Sequence, residues 1–150
     1  YAEYMLAPVV QAIDDGTFVS SIGAGKLGAV ARTDLAAAAA AALCETDLEN
    51  RVYELTYPRP WDYREAVEIV SKVSGKPLRY RPVSDEEMIR VMQQAGAPET
   101  AIQMAVGMNR TLREGNLSKT TGDLARILGR PAVSLEEIVR WLISSGTRGG

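Results

Sequence analysis

The sequence predicts an α+β chain that is mostly helical, and three observations carry that expectation. Apolar residues recur at three- and four-residue spacing in several separate stretches, as they do on one face of a helix. Those stretches have start and stop chemistry: Asp62 with Glu65, Ser84 with Glu87 and Ser134 with Glu137 have capping-box spacing, while Gly16, Gly75, Gly96 and Gly115 stand where helices should end. Between them lie only short extended runs, Thr17 to Ile22, Arg51 to Thr56 and Leu78 to Val83.

Taken in order, residues 2–15 place Leu6, Val9, Val10 and Ile13 on one helical face, with Pro8 in or near the first turn or else kinking the helix. Thr17 to Ile22 reads as extended. The glycine-spaced GAGKLG that follows is not read as a phosphate loop, because it lacks the strand-to-helix context. Residues 25–44, GKLGAVARTDLAAAAAAALC, organise the chain: Thr33 and Asp34 offer side-chain oxygens where the first helical N–H groups need acceptors. The alanines after them have high helix propensity and little bulk, which suits packing against a crowded sheet face.

Asp47 to Asn50 reads as a polar turn, and RVYELT alternates as a strand does, with Val52 opposite Tyr53 and Leu55. A helix from Asp62 to Ser74 presents Ala66, Val67, Val70 and Val73, and one after Ser84 carries Met88, Ile89, Val91 and Met92. Beyond Pro98, the residues Ala101, Met104, Ala105, Met108 and Leu112 repeat at helical spacing down to Gly115. These methionines are read first as core fillers and second as a flexible thioether face for a planar substrate. A helix near Thr121 to Leu128, a turn at Gly129-Arg130-Pro131 and a last helix with Leu135, Ile138, Val139 and Leu142 complete the chain.

Size and composition bound the function. The 150 residues suit one domain, assigned to residues 1–146 with a frayed tail at 147–150. The net charge is −2 with basic residues scattered among acids, so there is no basic stripe and nucleic acid is not expected as a partner. A single Cys44 and no histidine exclude an internal disulfide, Cys/His metal spacing and any Ser-His or Cys-His dyad, so no catalytic or metal-ligating set is assigned. No run is long and apolar enough for a transmembrane helix, so no membrane partner is expected and the cytoplasm is the expected location. Opening on Tyr1 in helical pattern, the chain reads as the interior of a longer polypeptide.

Three segments together resemble the C-terminal part of the NmrA-like atypical short-chain dehydrogenases, closest to the NAD(P)H:quinone oxidoreductase branch. They are YAEYMLAPVVQAIDDGTF, GKLGAVARTDLAAAAAAAL, and the stretch from VYELTYPRPWDYREAVEIVSKVSGKPLRYRPVSDEE to GRPAVSLEEIVRWL. The resemblance implies the C-terminal, substrate-side part of a Rossmann-type α/β protein that lacks its nucleotide-binding βαβ region. It implies NADP or NAD in the intact protein and none held by this chain alone, with hydride passing directly from the nicotinamide to a bound quinone or similar small acceptor. The chain by itself is then not catalytic. A non-catalytic redox sensor or protein-interaction module of the same family is the alternative.

On that resemblance Tyr4 stands where the family often has asparagine, and Tyr57 where it usually has glycine. Tyr4, Phe18, Lys26 and Met104 are candidates for facing a substrate cleft. Arg32 and Asp34 fit an Arg-x-Asp-Leu-Ala pattern and are read as structural, Asp34 capping the alanine helix and Arg32 pairing with a carboxylate. A strand over 52–55 would need an N-terminal Rossmann region or a second copy of the chain to cover its edge.

Overall fold

Burial is concentrated where three helices meet. The computed structural model describes residues 1–44 and 52–146. Helix α1 (Ala2–Gln11), helix α3 (Tyr63–Ser74) and helix α7 (Leu135–Gly146) pack on one another. Their shared core holds Leu6, Val9, Val67, Val70, Leu135 and Val139. Each such side chain contributes about 1.5–3 kcal/mol relative to exposure, so this block supplies much of the stability.

The caps at α3 and α7 form as the sequence predicts. Asp62 accepts from the Glu65 N–H at 3.0 Å and Gly75 closes α3 at φ 69°, which a residue with a Cβ adopts only at a cost. Ser134 and Glu137 satisfy each other's backbone N–H groups reciprocally at 3.2 and 2.9 Å. Helix α1 stops at Gln11 rather than continuing to residue 15, because Asp14 and Asp15 would put negative charge on the negative end of the helix dipole. Pro8 sits inside α1, not in its first turn.

Strand β1 (Thr17–Ser20) pairs in parallel with β4 (Arg79–Pro82), Thr17 opposite Arg79 and Ser20 opposite Pro82. The Ser20 hydroxyl accepts from the Ile22 N–H at 3.3 Å, which ends the strand two residues before the predicted limit. A second, two-residue antiparallel pair joins β2 (Lys26–Leu27) to β3 (Trp61–Asp62). Gly25 and Gly28 are needed here for close approach: a Cβ on Gly25 would lie 2.6 Å from the Leu112 carbonyl oxygen, and one on Gly28 would lie 3.0 Å from that of Lys119. Those glycines therefore serve packing and do not cradle a phosphate.

Helix α2 (Arg32–Cys44) departs from expectation in its surroundings. It packs on the short α6 (Asp123–Leu128), not on a sheet face, and buries only Asp34 and Ala38. Both sheets among the described residues have two strands, and the other alanines of the helix are exposed or half-buried. Ala38 meets Val30 and Leu124 in a second small core.

The predicted strand over 51–56 is not a strand in its described part, residues 52–56. Its alternation survives, with Val52 exposed and Leu55 packed on the second core, but its backbone bonds to the segment before α6. The Glu54 N–H donates to Asp123 at 3.1 Å, its carbonyl accepts from the Thr121 hydroxyl, and the Tyr57 N–H donates to Gly28 at 2.9 Å. Side chains meet the Glu54 N–H and carbonyl in place of a ladder. The predicted turn at Asp47 to Asn50, Arg51 and the tail 147–150 lie outside the described residues.

Helix α4 (Asp85–Gln94) and helix α5 (Glu99–Arg113) form a hairpin. Ser84 caps α4 by accepting from the Glu87 N–H at 3.2 Å. No residue of α4 is fully buried, while α5 buries Ile102, Val106, Asn109 and Leu112. The predicted core face of α5 is therefore rotated: Met104 is 66% exposed and Met108 37%.

Candidate functional site

The methionines that leave the core converge. Met88 and Met92 lie one turn apart on α4, Met104 and Met108 one turn apart on α5, and Met5 is on α1; all five methionines of the chain line one groove of about 360 Å³. Phe18 from β1, Tyr4 from α1 and Tyr63 from α3 add aromatic walls. Helical spacing of four residues places each methionine pair on one face of its helix, and packing of α4 on α5 brings the two pairs to the same groove.

The groove floor is a cluster of aromatic rings whose hydroxyls are tied to the backbone. Phe18 lies 5.0 Å from Tyr63 and 6.0 Å from Tyr80, centroid to centroid. The Tyr63 hydroxyl donates to the Met5 carbonyl oxygen at 3.1 Å, and that of Tyr80 to Gly23 at 3.0 Å. Burial pushes both phenols above their ordinary range, so they remain neutral donors committed to the backbone. Asn109 is nearly buried in the wall and donates to the Ser21 hydroxyl at 3.0 Å.

One ionic clamp holds the hairpin over this floor. Arg113, at the end of α5, donates to both carboxylate oxygens of Asp85 at 3.0 and 2.8 Å and to the Ser21 carbonyl at 2.6 Å. Hydrogen bonds from Arg113 and then Ser21 hold the Asp85 carboxyl down to about 2.

A second hollow of about 500 Å³ adjoins the groove and shares Tyr4, Met5 and Met108 with it. Its other walls are more polar, with Asn116 and a Lys119–Glu54 ion pair. Tyr4 stands on the boundary at 62% exposure, and its hydroxyl has no hydrogen-bond partner among the described residues. A third hollow of about 270 Å³ lies among Glu3, Arg32 and Trp141. Its carboxylates are already engaged, Glu3 with the Arg32 N–H and Glu137 with Ser134.

Of the residues singled out in the sequence, Tyr4, Phe18 and Met104 line the same groove, whereas Lys26 is exposed on β2 and lines none of the three hollows. Arg32 and Asp34 depart from their assigned contacts. Asp34 is fully buried as the third residue of α2 and accepts from Arg130 and from the Val133 N–H, both at 2.7 Å, so it ties the loop before α7 and does not cap its own helix. Arg32 meets a carboxylate through its backbone: its N–H donates to Glu3 at 2.9 and 3.1 Å, and its guanidinium is in no ion pair among the described residues. Glu3 thus closes the start of α2 from 29 residues upstream.

Met88 and Met92 had a sequence signal, the same four-residue spacing as Met104 and Met108. Tyr63 and Asn109 had none, because their place in the wall depends on contacts to β1 and α1.

The sequence and the fold are similar to those of known proteins. Quinone oxidoreductase 2 of Escherichia coli is 29% identical over 144 residues, 96% of this chain and 50% of that protein. The solved structure of Citrobacter sp. triphenylmethane reductase complexed with NADP(H) superimposes with a TM-score of 0.87 at 32% identity, over 95% of this chain and 50% of that one. An NmrA-like family domain-containing oxidoreductase of Aspergillus flavus is 25% identical over 79% of this chain and 40% of its own length. The chain corresponds to the C-terminal part of the NmrA-like oxidoreductases. No family model matches the sequence, and the chain spans about half the length of the relatives just described.

The glycine cluster at 23–28 packs against the end of α5 and the 117–119 segment, and the start of α2 is closed by Glu3. No helix among the described residues is long and apolar enough to cross a membrane.

Proposed function

We propose that this chain is the acceptor-binding side of an NAD(P)H-dependent oxidoreductase that reduces a quinone or a similar planar, aromatic acceptor. The observation that carries the reading is the convergence of all five methionines with Tyr4, Phe18 and Tyr63 on one groove. Flexible thioethers and aromatic faces bind flat apolar rings through dispersion and sulfur–aromatic contacts worth about 0.3–1.5 kcal/mol each. The free Tyr4 hydroxyl at the groove's edge is the donor available to an acceptor carbonyl.

The chain contributes binding, orientation and exclusion of water, with no acid–base pair in the groove among the described residues. The dinucleotide belongs to the region that the longer relatives have in addition. Arg32 and Asp34 belong to structure, not chemistry, and Lys26 drops out of the candidate cleft.

Titration of the purified chain with menadione should show saturable binding, weakened several-fold by Tyr4→Phe. Titration with NADPH should show none; tight NADPH binding by the chain alone would overturn the division of labour proposed here. Joined to a dinucleotide-binding half, the chain should support NADPH-dependent quinone turnover, whereas cofactor binding without turnover would point to a redox sensor.

A further inference from the structure

We infer that Met104 is a site of reversible oxidation that closes the groove to aromatic acceptors. This rests on the acceptor-binding reading above and adds a mode of control to the same site. Met104 is 66% exposed, Met108 is 37% and Met5 is 8%, yet all three face the same groove. Oxidant reaching the groove from solvent meets the Met104 sulfur first.

The chemistry is self-contained. A peroxide transfers one oxygen atom to the thioether sulfur, the O–O bond breaks, sulfur loses two electrons and hydrogen peroxide leaves as water. The product, methionine sulfoxide, is polar and chiral where the thioether was apolar, and methionine sulfoxide reductases reverse it. Met104 shares the groove lining with Ala101, Ala105 and Met108, so its sulfoxide oxygen, hydrated while the groove is open, would set a polar atom on an otherwise apolar wall. An aromatic ring entering the groove would then desolvate that oxygen without giving it a donor. Core stability should hardly change, because Met104 contributes little to the buried cluster.

The test is to treat the purified chain with dilute hydrogen peroxide, map the oxidised methionines by mass spectrometry, and titrate menadione before and after. Met104 should gain oxygen first, and the menadione Kd should rise by roughly tenfold, returning to its starting value after methionine sulfoxide reductase. Met104→Leu removes the oxidisable sulfur from the groove lining, so its menadione Kd, whatever its own starting value, should no longer rise on peroxide treatment. Failure of the untreated chain to bind menadione would overturn the acceptor reading and this inference with it. Binding by the untreated chain that persists unchanged once Met104 is oxidised would overturn this inference alone, as would prior oxidation of Met5 or Met88.

Discussion

The block of α1, α3 and α7 and the hairpin of α4 and α5 are built from similar amphipathic helices, yet they use their apolar faces differently. In the block, Leu6, Val9, Val70 and Val139 face one another and lose nearly all contact with water. In the hairpin, α4 buries no residue fully, and the methionines of both helices face a groove. The first arrangement spends apolar surface on stability; the second leaves it available to a ligand, held in place by the Asp85–Arg113–Ser21 clamp. Branched and γ-branched side chains in the block define one packing, while unbranched thioethers in the groove adapt to what enters.

The largest effect should come from the block. Leu6→Ala removes a fully buried side chain and should cost about 3 kcal/mol in denaturant unfolding; a loss under about 1 kcal/mol would mean that the block is not the stable unit. Next comes Asp34→Ala, which leaves the Val133 N–H and the Arg130 guanidinium without their shared acceptor. It should cost about 2 kcal/mol, with Arg130→Met adding little on top if the two act as one unit.

The clamp gives the comparison a pH axis. Asp85 titrates at about 2 when folded, below the value of about 3.9 of an unfolded aspartate, so its contribution is complete above the unfolded value and is lost as pH falls through the folded one. Amide exchange in α4 and α5 should therefore speed up between those two values before the block responds, and Asp85→Asn should loosen the hairpin at neutral pH and abolish that dependence. Equal protection of hairpin and block at every pH would break the distinction. The smallest effect on stability belongs to Met104→Ala, within about 0.5 kcal/mol, with menadione binding weakened several-fold; the reverse pattern would return Met104 to the core.

Local chemistry was legible in the residues themselves. Asp62 with Glu65, Ser84 with Glu87 and Ser134 with Glu137 act over three positions, so their caps need nothing from elsewhere. The likeness of TDLAAAAAAAL and its flanks to NmrA-like proteins was legible for the same reason, since it is a property of order and spacing. The stretch 52–56 is not a strand because alternation reports which side chains are buried, not what the backbone bonds to, and Thr121 and Asp123 bond the backbone of Glu54 here.

What the sequence by itself determined, then, is the set of helices, their ends and the family resemblance, all of which follow from interactions between near neighbours. Only the tertiary structure decided that Asp34 serves Arg130 and Val133, that Glu3 closes α2, and which stripe of α5 enters the core. Ile102 with Val106 and Met104 with Met108 have the same helical spacing and are both apolar, so periodicity cannot choose between them. Packing of α5 against the rest of the chain buries the first pair, and the second is left to line the groove.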